Sequence, residues 1–202
     1  MKKDLSMKFQ YETNHLILKI LQPSYENALK VLDFYNNNRT VFERYEATRP
    51  VNFYTAGYHK TVLTHEYNLA LQKKCLRFWI YEKNNPLQII GTICFYNIIR
   101  SIFDRCETGY KFDTSYWHKG YAREAMSFGI FLMFEELNIH RIEAYVMEEN
   151  TASVRLLTDL DFQFEGICRT SIRVRGNWED HMLFSRIKST DTSIQNSLSY
   201  IP

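Results

Sequence analysis

The chain is poor in the residues that mark several function classes. Seven glycines and four prolines in 202 residues exclude a collagenous or low-complexity design. The four cysteines (Cys75, Cys94, Cys106 and Cys168) form no CxxC pair, which argues against a zinc site or a dithiol redox motif. No run of 18 apolar residues occurs, so no membrane-spanning helix is expected and no membrane partner. The opening "MKKDLSMKFQ" carries lysines without an apolar stretch, and the expectation is a cytoplasmic chain with free thiols. A formal net charge of +2 is too small to point to nucleic acid. The basic piece "RTSIRVR" (169–175) reads as the exposed face of a strand, and no basic patch suited to a structural ribosome-associated protein stands out.

Familiar catalytic motifs are missing as well. Neither GxGxxG nor the P-loop pattern GxxxxGK occurs, and "HEYNL" (65–69) puts Leu69 where HExxH needs its second histidine. No GxSxG elbow is present for acyl-serine chemistry.

What remains is an ordinary globular composition, 45% apolar and 24% charged, long enough for one domain with a substantial core. Fourteen Tyr, fourteen Phe and three Trp predict an aromatic-rich interior. We expect a single domain over 1–188 and a polar, aperiodic tail over 189–202. "HLILKIL" (15–21) reads as a strand, and Ser24 then caps a helix through "YENALKVLDFY". "NNNR" (36–39) breaks that helix. The stretch from there to Pro50 is ambiguous, with room for a short helix and a loop, and 54–74 follow a helical period. Period-two runs at 76–82, 87–98 and 106–112 predict an antiparallel meander. The strongly apolar stretch 121–137 predicts a helix lying on a sheet, followed by a strand at 141–147. Strand 106–112, that helix and strand 141–147 form a βαβ unit with a right-handed crossover. Asn150 caps a short helix, and strands 167–175 and 178–187 are joined at Gly176-Asn177.

The chemistry points to the start of the 121–137 helix. "WHKGYAREA" (117–125) places one of the few glycines between a strand and a long helix. Ligands bind beyond the carboxyl ends of parallel strands, and a helix start offers free amides and partial positive charge to an anion. Gly120 would let phosphate oxygens approach the main chain with no Cβ in the way.

Four pieces in order, "RPVNFYT" (49–55), "GYKFDTSYWHKGYAREA" (109–125), "HRIEAYVMEENTASVRLL" (140–157) and "GNWEDHMLF" (176–184), resemble the GNAT N-acetyltransferases. The RimJ/RimL type, which acetylates the N-termini of ribosomal proteins, is the most similar, and the resemblance spans roughly residues 14–187. It implies an α+β fold with a mixed sheet of about seven strands, splayed parallel strands and flanking helices. It also implies acetyl-CoA as co-substrate, its pyrophosphate on the amides of His118, Lys119, Gly120, Tyr121, Ala122 and Arg123. The pantetheine arm would pair with the backbone of Tyr110, Lys111 and Phe112 and hydrogen-bond Asn150. Trp117 stands where the family usually has Gln or Arg, and His118 where a second glycine is common. Ser153 matches a position thought to protonate the departing thiolate, and Glu107 a strand glutamate facing the cleft. A second carboxylate of RimL-type enzymes falls at Ile172. Asp180 and His181 would line the acceptor pocket under a helical flap at 40–60.

No cysteine matches a nucleophile position of the family, so direct attack by a neutral amine is expected. An α-amine (pKa about 7.7–8.0) loses its proton at pH 7 for about 1 kcal/mol, and a lysine (about 10.4) for about 4.6 kcal/mol. A weak base therefore suits protein N-termini, ribosomal proteins among them, better than lysine side chains. Residues 40–60 hold only Glu43 and Glu46 as carboxylates, fewer than a polyamine site needs. A small-amine acceptor and a non-catalytic acyl-CoA-binding module are the alternatives, for a monomer or homodimer.

Overall fold

The computed structural model describes residues 8–189; the N-terminal residues 1–7 and nearly all of the expected polar tail lie outside them. Eight strands, β1 (Gln10–Glu12), β2 (Leu16–Lys19), β3 (Leu76–Glu82), β4 (Asn85–Ile99), β5 (Arg105–Phe112), β6 (Arg141–Val146), β7 (Gln163–Val174) and β8 (Asn177–Ile187), form one sheet. Their order is β1-β2-β3-β4-β5-β6-β8-β7, antiparallel except for β5 against β6. The sequence reading misses β1: three residues are too short to show a period, and only pairing with β2 makes them a strand.

Two helical layers cover the sheet because β3 is apolar on both faces. Leu76, Phe78 and Ile80 face a cluster with α4 (Tyr121–Phe131) and α5 (Thr151–Asp159). Trp79 and Tyr81 face α1 (Tyr25–Asn37) and α3 (Ala56–Leu71). Ser24 caps α1 by accepting the Asn27 amide at 3.0 Å, as expected for a β-region serine at a helix start. The 121–137 helix is one path in two parts: α4, then a π-helical turn over Leu132–Glu136.

The expected 40–60 flap is mostly irregular. Only α2 (Arg39–Phe42) is helical before α3 begins at Ala56. The last hairpin turns at Arg175 and Gly176, with φ of 48° and 89°, and Asn177 already pairs with Val174. The turn thus falls one residue earlier than the sequence signal placed it, on the two residues whose positive φ a primed turn needs.

Gly129 in α4 lets the helix approach the sheet. A Cβ there would lie 2.6 Å from Phe95 and 2.8 Å from Ile93. Gly129→Val is therefore expected to cost about 3 kcal/mol through overpacking and to lower Tm by about 6–12 °C. Thermal unfolding at neutral pH checks this; an unchanged Tm would show that α4 can lift off the sheet freely.

The parallel pairing that places the site is short. It joins Arg105 to Arg141, Cys106 to Ile142 and Glu107 to Glu143, and stops there. Glu143 is buried and bridged by Arg105 at 3.3 Å and Arg141 at 2.7 Å. Arg141 also holds Glu165 of β7, which accepts the Ser185 hydroxyl at 2.5 Å. This ionic cluster fastens β5, β6, β7 and β8 at one end of the sheet.

Candidate active site

Beyond Glu107 and Glu143, β5 and β6 are no longer paired, and a cleft of about 1430 Å³ opens between them. Strand residues alternate between faces, and both sets line it: Thr108, Tyr110 and Phe112 from the α4 side, Gly109 and Lys111 from the α1 side. The cleft therefore runs through the sheet, and two ligands could meet in it from opposite faces.

The α4 side is built to meet an anion. Gly120 caps α4 at φ 80°, and the first helical bond runs from the Glu124 amide to the Gly120 carbonyl at 3.0 Å. The amides of Tyr121, Ala122 and Arg123 have no main-chain acceptor among the described residues, as at any helix start. A Cβ on Gly120 would meet nothing within 4 Å, so the space beside this residue is open. His118 shares the left-handed region at φ 60°, which explains why a glycine suits its position.

Neighbouring contacts fix the loop before α4. The Trp117 indole donates to the Phe112 carbonyl at 2.9 Å, closing the loop onto the end of β5. Buried Asp113 accepts from the Asn38 side chain at 2.9 Å and from the Ser115 amide at 2.9 Å, while Asn38 Oδ1 accepts the Thr114 amide at 3.1 Å. The end of α1 is thereby tied to the loop that precedes α4.

Across the gap, Asn150 caps α5 by accepting the Ser153 amide at 3.2 Å. The Tyr110 hydroxyl donates to the Ser153 carbonyl at 3.1 Å, a bridge from β5 to α5. Burial pushes the Tyr110 phenol up to about 12, so it stays a proton donor at neutral pH.

Eleven of the sequence-predicted residues line this cleft: Tyr110, Lys111, Phe112, His118, Gly120, Tyr121, Ala122, Arg123, Asn150, Ser153 and His181. Lys119, Glu107 and Asp180 do not. The Lys119 ammonium lies 4.5 Å over the Tyr116 ring. Asp180 accepts the Thr170 amide at 2.7 Å inside the β7–β8 hairpin. Glu107 shares the face of Gly109 and Lys111 but lies one step below the lining, where Asn97 donates to it at 3.0 Å. Asn97 occupies a bulge in β4 at φ 50°.

The α1 side contains groups the sequence reading did not assign. Arg77, Thr92, Tyr96 and Tyr145 line it, with Glu46 from the irregular segment after α2. Glu46 meets the Lys111 ammonium at 2.6 Å and also contacts Arg49. Arg77 pairs with Glu66 at 2.6 Å. Period-two alternation in "LRFWIYE" could have flagged Arg77 as a charge on an otherwise apolar strand; Glu46 has no local pattern to mark it. Among the described residues no group of acidic, histidine and cysteine side chains could hold a metal ion, and no helix is long and apolar enough to cross a membrane.

A split parallel pair with an open helix start at one mouth is the arrangement the sequence pieces led us to expect, and comparison with known proteins decides the family. A model of the acetyltransferase (GNAT) domain matches residues 15–163. The chain belongs to the GNAT acetyltransferase family. This N-acetyltransferase is 33% identical over 166 residues to the probable N-acetyltransferase YjcK of Bacillus subtilis (strain 168), covering 82% of this chain and 91% of that one. It is 28% identical over 178 residues to the ribosomal protein uS5-alanine N-acetyltransferase of Escherichia coli (strain K12), covering 87% and 89%. The solved ribosomal-protein-S5-alanine acetyltransferase from Vibrio fischeri superposes with a TM-score of 0.83 at 30% identity, over 90% of this chain and 98% of that one. Mycobacterium smegmatis RimJ in complex with CoA-disulfide has the same fold, with a TM-score of 0.80 at 21% identity over 88% and 84%. The enzyme is thus a GNAT N-acetyltransferase related to those acting on ribosomal proteins.

Proposed function

We propose that this enzyme transfers the acetyl group of acetyl-CoA directly to the N-terminal α-amine of a protein, a ribosomal protein being the leading kind of acceptor. The observation that carries the reading is the cleft through the sheet, with an open helix start on one side and a polar region around Glu46, Arg77 and Lys111 on the other. The pyrophosphate would rest on the amides from His118 to Arg123, where the helix dipole contributes about 0.3–2 kcal/mol. Pantetheine would add to the edge of β5 beside Tyr110 and Lys111, as an extended peptide adds to an open strand, and Asn150 would face its amides. Mycobacterium smegmatis RimJ, which has the same fold, is solved in complex with CoA-disulfide, in keeping with a CoA thioester as co-substrate.

Acetyl-CoA supplies an activated thioester. The chain's part is to hold the amine neutral and the thioester in line. Glu107, on the acceptor face, takes a proton from the ammonium through water; the amine nitrogen bonds to the carbonyl carbon as the carbon–sulfur bond breaks. Ser153 gives its hydroxyl proton to the departing thiolate, and the second proton shed by the acetylated nitrogen returns through water to the serine. This leaves a neutral amide and the CoA thiol, while the proton on Glu107 passes to solvent. On the acceptor side Arg77 is paired with Glu66 and Lys111 with Glu46, and Glu46 also contacts Arg49, so its charge is already committed. Such a region disfavours a polyamine, which needs carboxylates to meet several positive charges.

Initial rates of CoA release with an Ala-starting peptide test the assignment. Ser153→Ala is expected to lower kcat by about 100-fold, the scale of a positioned proton donor, with KM within a few-fold. Glu107→Gln is expected to shift the rise of kcat/KM to higher pH. Full kcat in Ser153→Ala would remove the acid role. Faster acetylation of spermidine than of the peptide would replace the acceptor class.

A further inference from the structure

Beside the cleft lies a second recess that acetyl transfer itself does not use. It measures about 450 Å³ and is lined by Arg39, Thr40, Glu43, Arg44 and Arg175. It shares Thr40 and Arg44 with the acceptor side of the cleft, so a chain threading toward the thioester passes its mouth. Its arginines come from places far apart in sequence: α2 and the turn after it, and the turn of the β7–β8 hairpin.

The charges there are unevenly matched. Arg39 pairs with Glu43 at 3.1 Å and lies 4.3 Å over the Tyr54 ring. Glu43 also accepts the Tyr54 hydroxyl at 2.7 Å, and that bond, with Arg39 nearby, holds its carboxyl below the usual range. Its negative charge is thus already committed. Arg44 lies over the Tyr45 ring at 5.2 Å, and neither Arg44 nor Arg175 has a carboxylate partner among the described residues. Two free guanidiniums converging on one recess suit a carboxylate, which each can bind through two parallel hydrogen bonds.

We propose that this recess receives an acidic side chain of the acceptor, a few residues behind the amine that is acetylated. The inference rests on the α-amine reading above and narrows it: the substrate is a protein whose N-terminus is followed closely by Asp or Glu. The lining is too small and too deeply tied to the cleft mouth to favour a nucleic-acid backbone, which would need a longer basic track.

Three peptides test it, each starting with Ala and identical except for Glu, Gln or Lys at positions two to five. We expect kcat/KM for the acidic peptide to exceed that for the neutral one by about tenfold, with the basic one lowest. The advantage should shrink in about 0.5 M salt, where charges beyond a few ångström are screened. In Arg44→Gln/Arg175→Gln the acidic-to-neutral ratio should fall toward one, and in Arg44→Glu/Arg175→Glu the basic peptide should lead. Circular dichroism and CoA binding establish that each double variant is folded. Equal use of the three peptides by the unaltered enzyme, or an acidic preference that survives both double variants, overturns the proposal and leaves α-amine acetylation standing. Competition by a short oligoribonucleotide without any peptide preference overturns it in favour of RNA. Absence of α-acetylation on all three peptides removes the parent reading, and this one with it.

Discussion

Gly120→Val is expected to weaken CoA binding by about 100-fold or more while leaving the enzyme folded. The structural cost is limited, because a Cβ at this position meets nothing within 4 Å. Only the backbone resists: Gly120 sits at φ 80°, and an L-residue there costs about 1–2 kcal/mol. The functional cost is larger. A pyrophosphate on the amides of Tyr121, Ala122 and Arg123 would approach past Gly120, and a branched side chain there would occupy the open space beside it. Losing two charge-assisted hydrogen bonds of about 1.5–3 kcal/mol each accounts for the factor. Isothermal titration with CoA measures it. His118→Gly is the control: it relieves a left-handed residue at φ 60°, offsets the gain with backbone entropy, and should leave affinity within about threefold. Equal affinity in Gly120→Val and the unaltered enzyme would mean that the phosphates lie elsewhere.

Arg141→Ala is expected to be the most destabilising change at the closed end of the cleft, by about 3 kcal/mol. Arg141 spans two carboxylates, Glu143 at 2.7 Å and Glu165. Removing it leaves buried Glu143 with Arg105 alone, at 3.3 Å. Tm at neutral pH should fall by about 6–12 °C. The same change alters the acid response. The hydrogen bond from Arg141 is the main cause that holds Glu165 below its ordinary value of 4.5. A carboxyl lowered in the folded state stabilises the fold above its ordinary value, and that share is lost as pH falls through the lowered one. Unfolding free energy should therefore drop less between pH 4.5 and more acidic solution in Arg141→Ala than in the unaltered enzyme. Parallel urea titrations read the difference; identical acid slopes would show that Glu165 is not held by Arg141.

How much of this was legible beforehand depends on whether the signal was local. The Ser24 cap and the meander each carry their own cap or period and form as read, while the apolar 121–137 segment is helical but turns from α4 into a π-helical turn at Leu132. Gly120 was legible because a rare residue fell at a strand-to-helix junction. The hairpin turn was misplaced by one residue, since "RGN" contains two plausible pairs and only strand register chooses between them. Glu46 and Lys111 are 65 residues apart along the chain, and nothing in either neighbourhood announces their contact. The arginine recess was invisible for the same reason. "RTSIRVR" looked like a solvated strand face, and only the hairpin's fold brings Arg175 to Arg44.

The account's central claim is that acetyl goes to an α-amine. A single peptide carrying both a free N-terminal Ala and an internal lysine puts the two amines in competition. Incubation with enzyme and acetyl-CoA at pH 7, followed by fragmentation mass spectrometry, locates the increment of about 42 Da. The account predicts the acetyl group on the terminal nitrogen, with the lysine unmodified at the same time point. Acetyl on the lysine ε-nitrogen, with the terminus free, would contradict it.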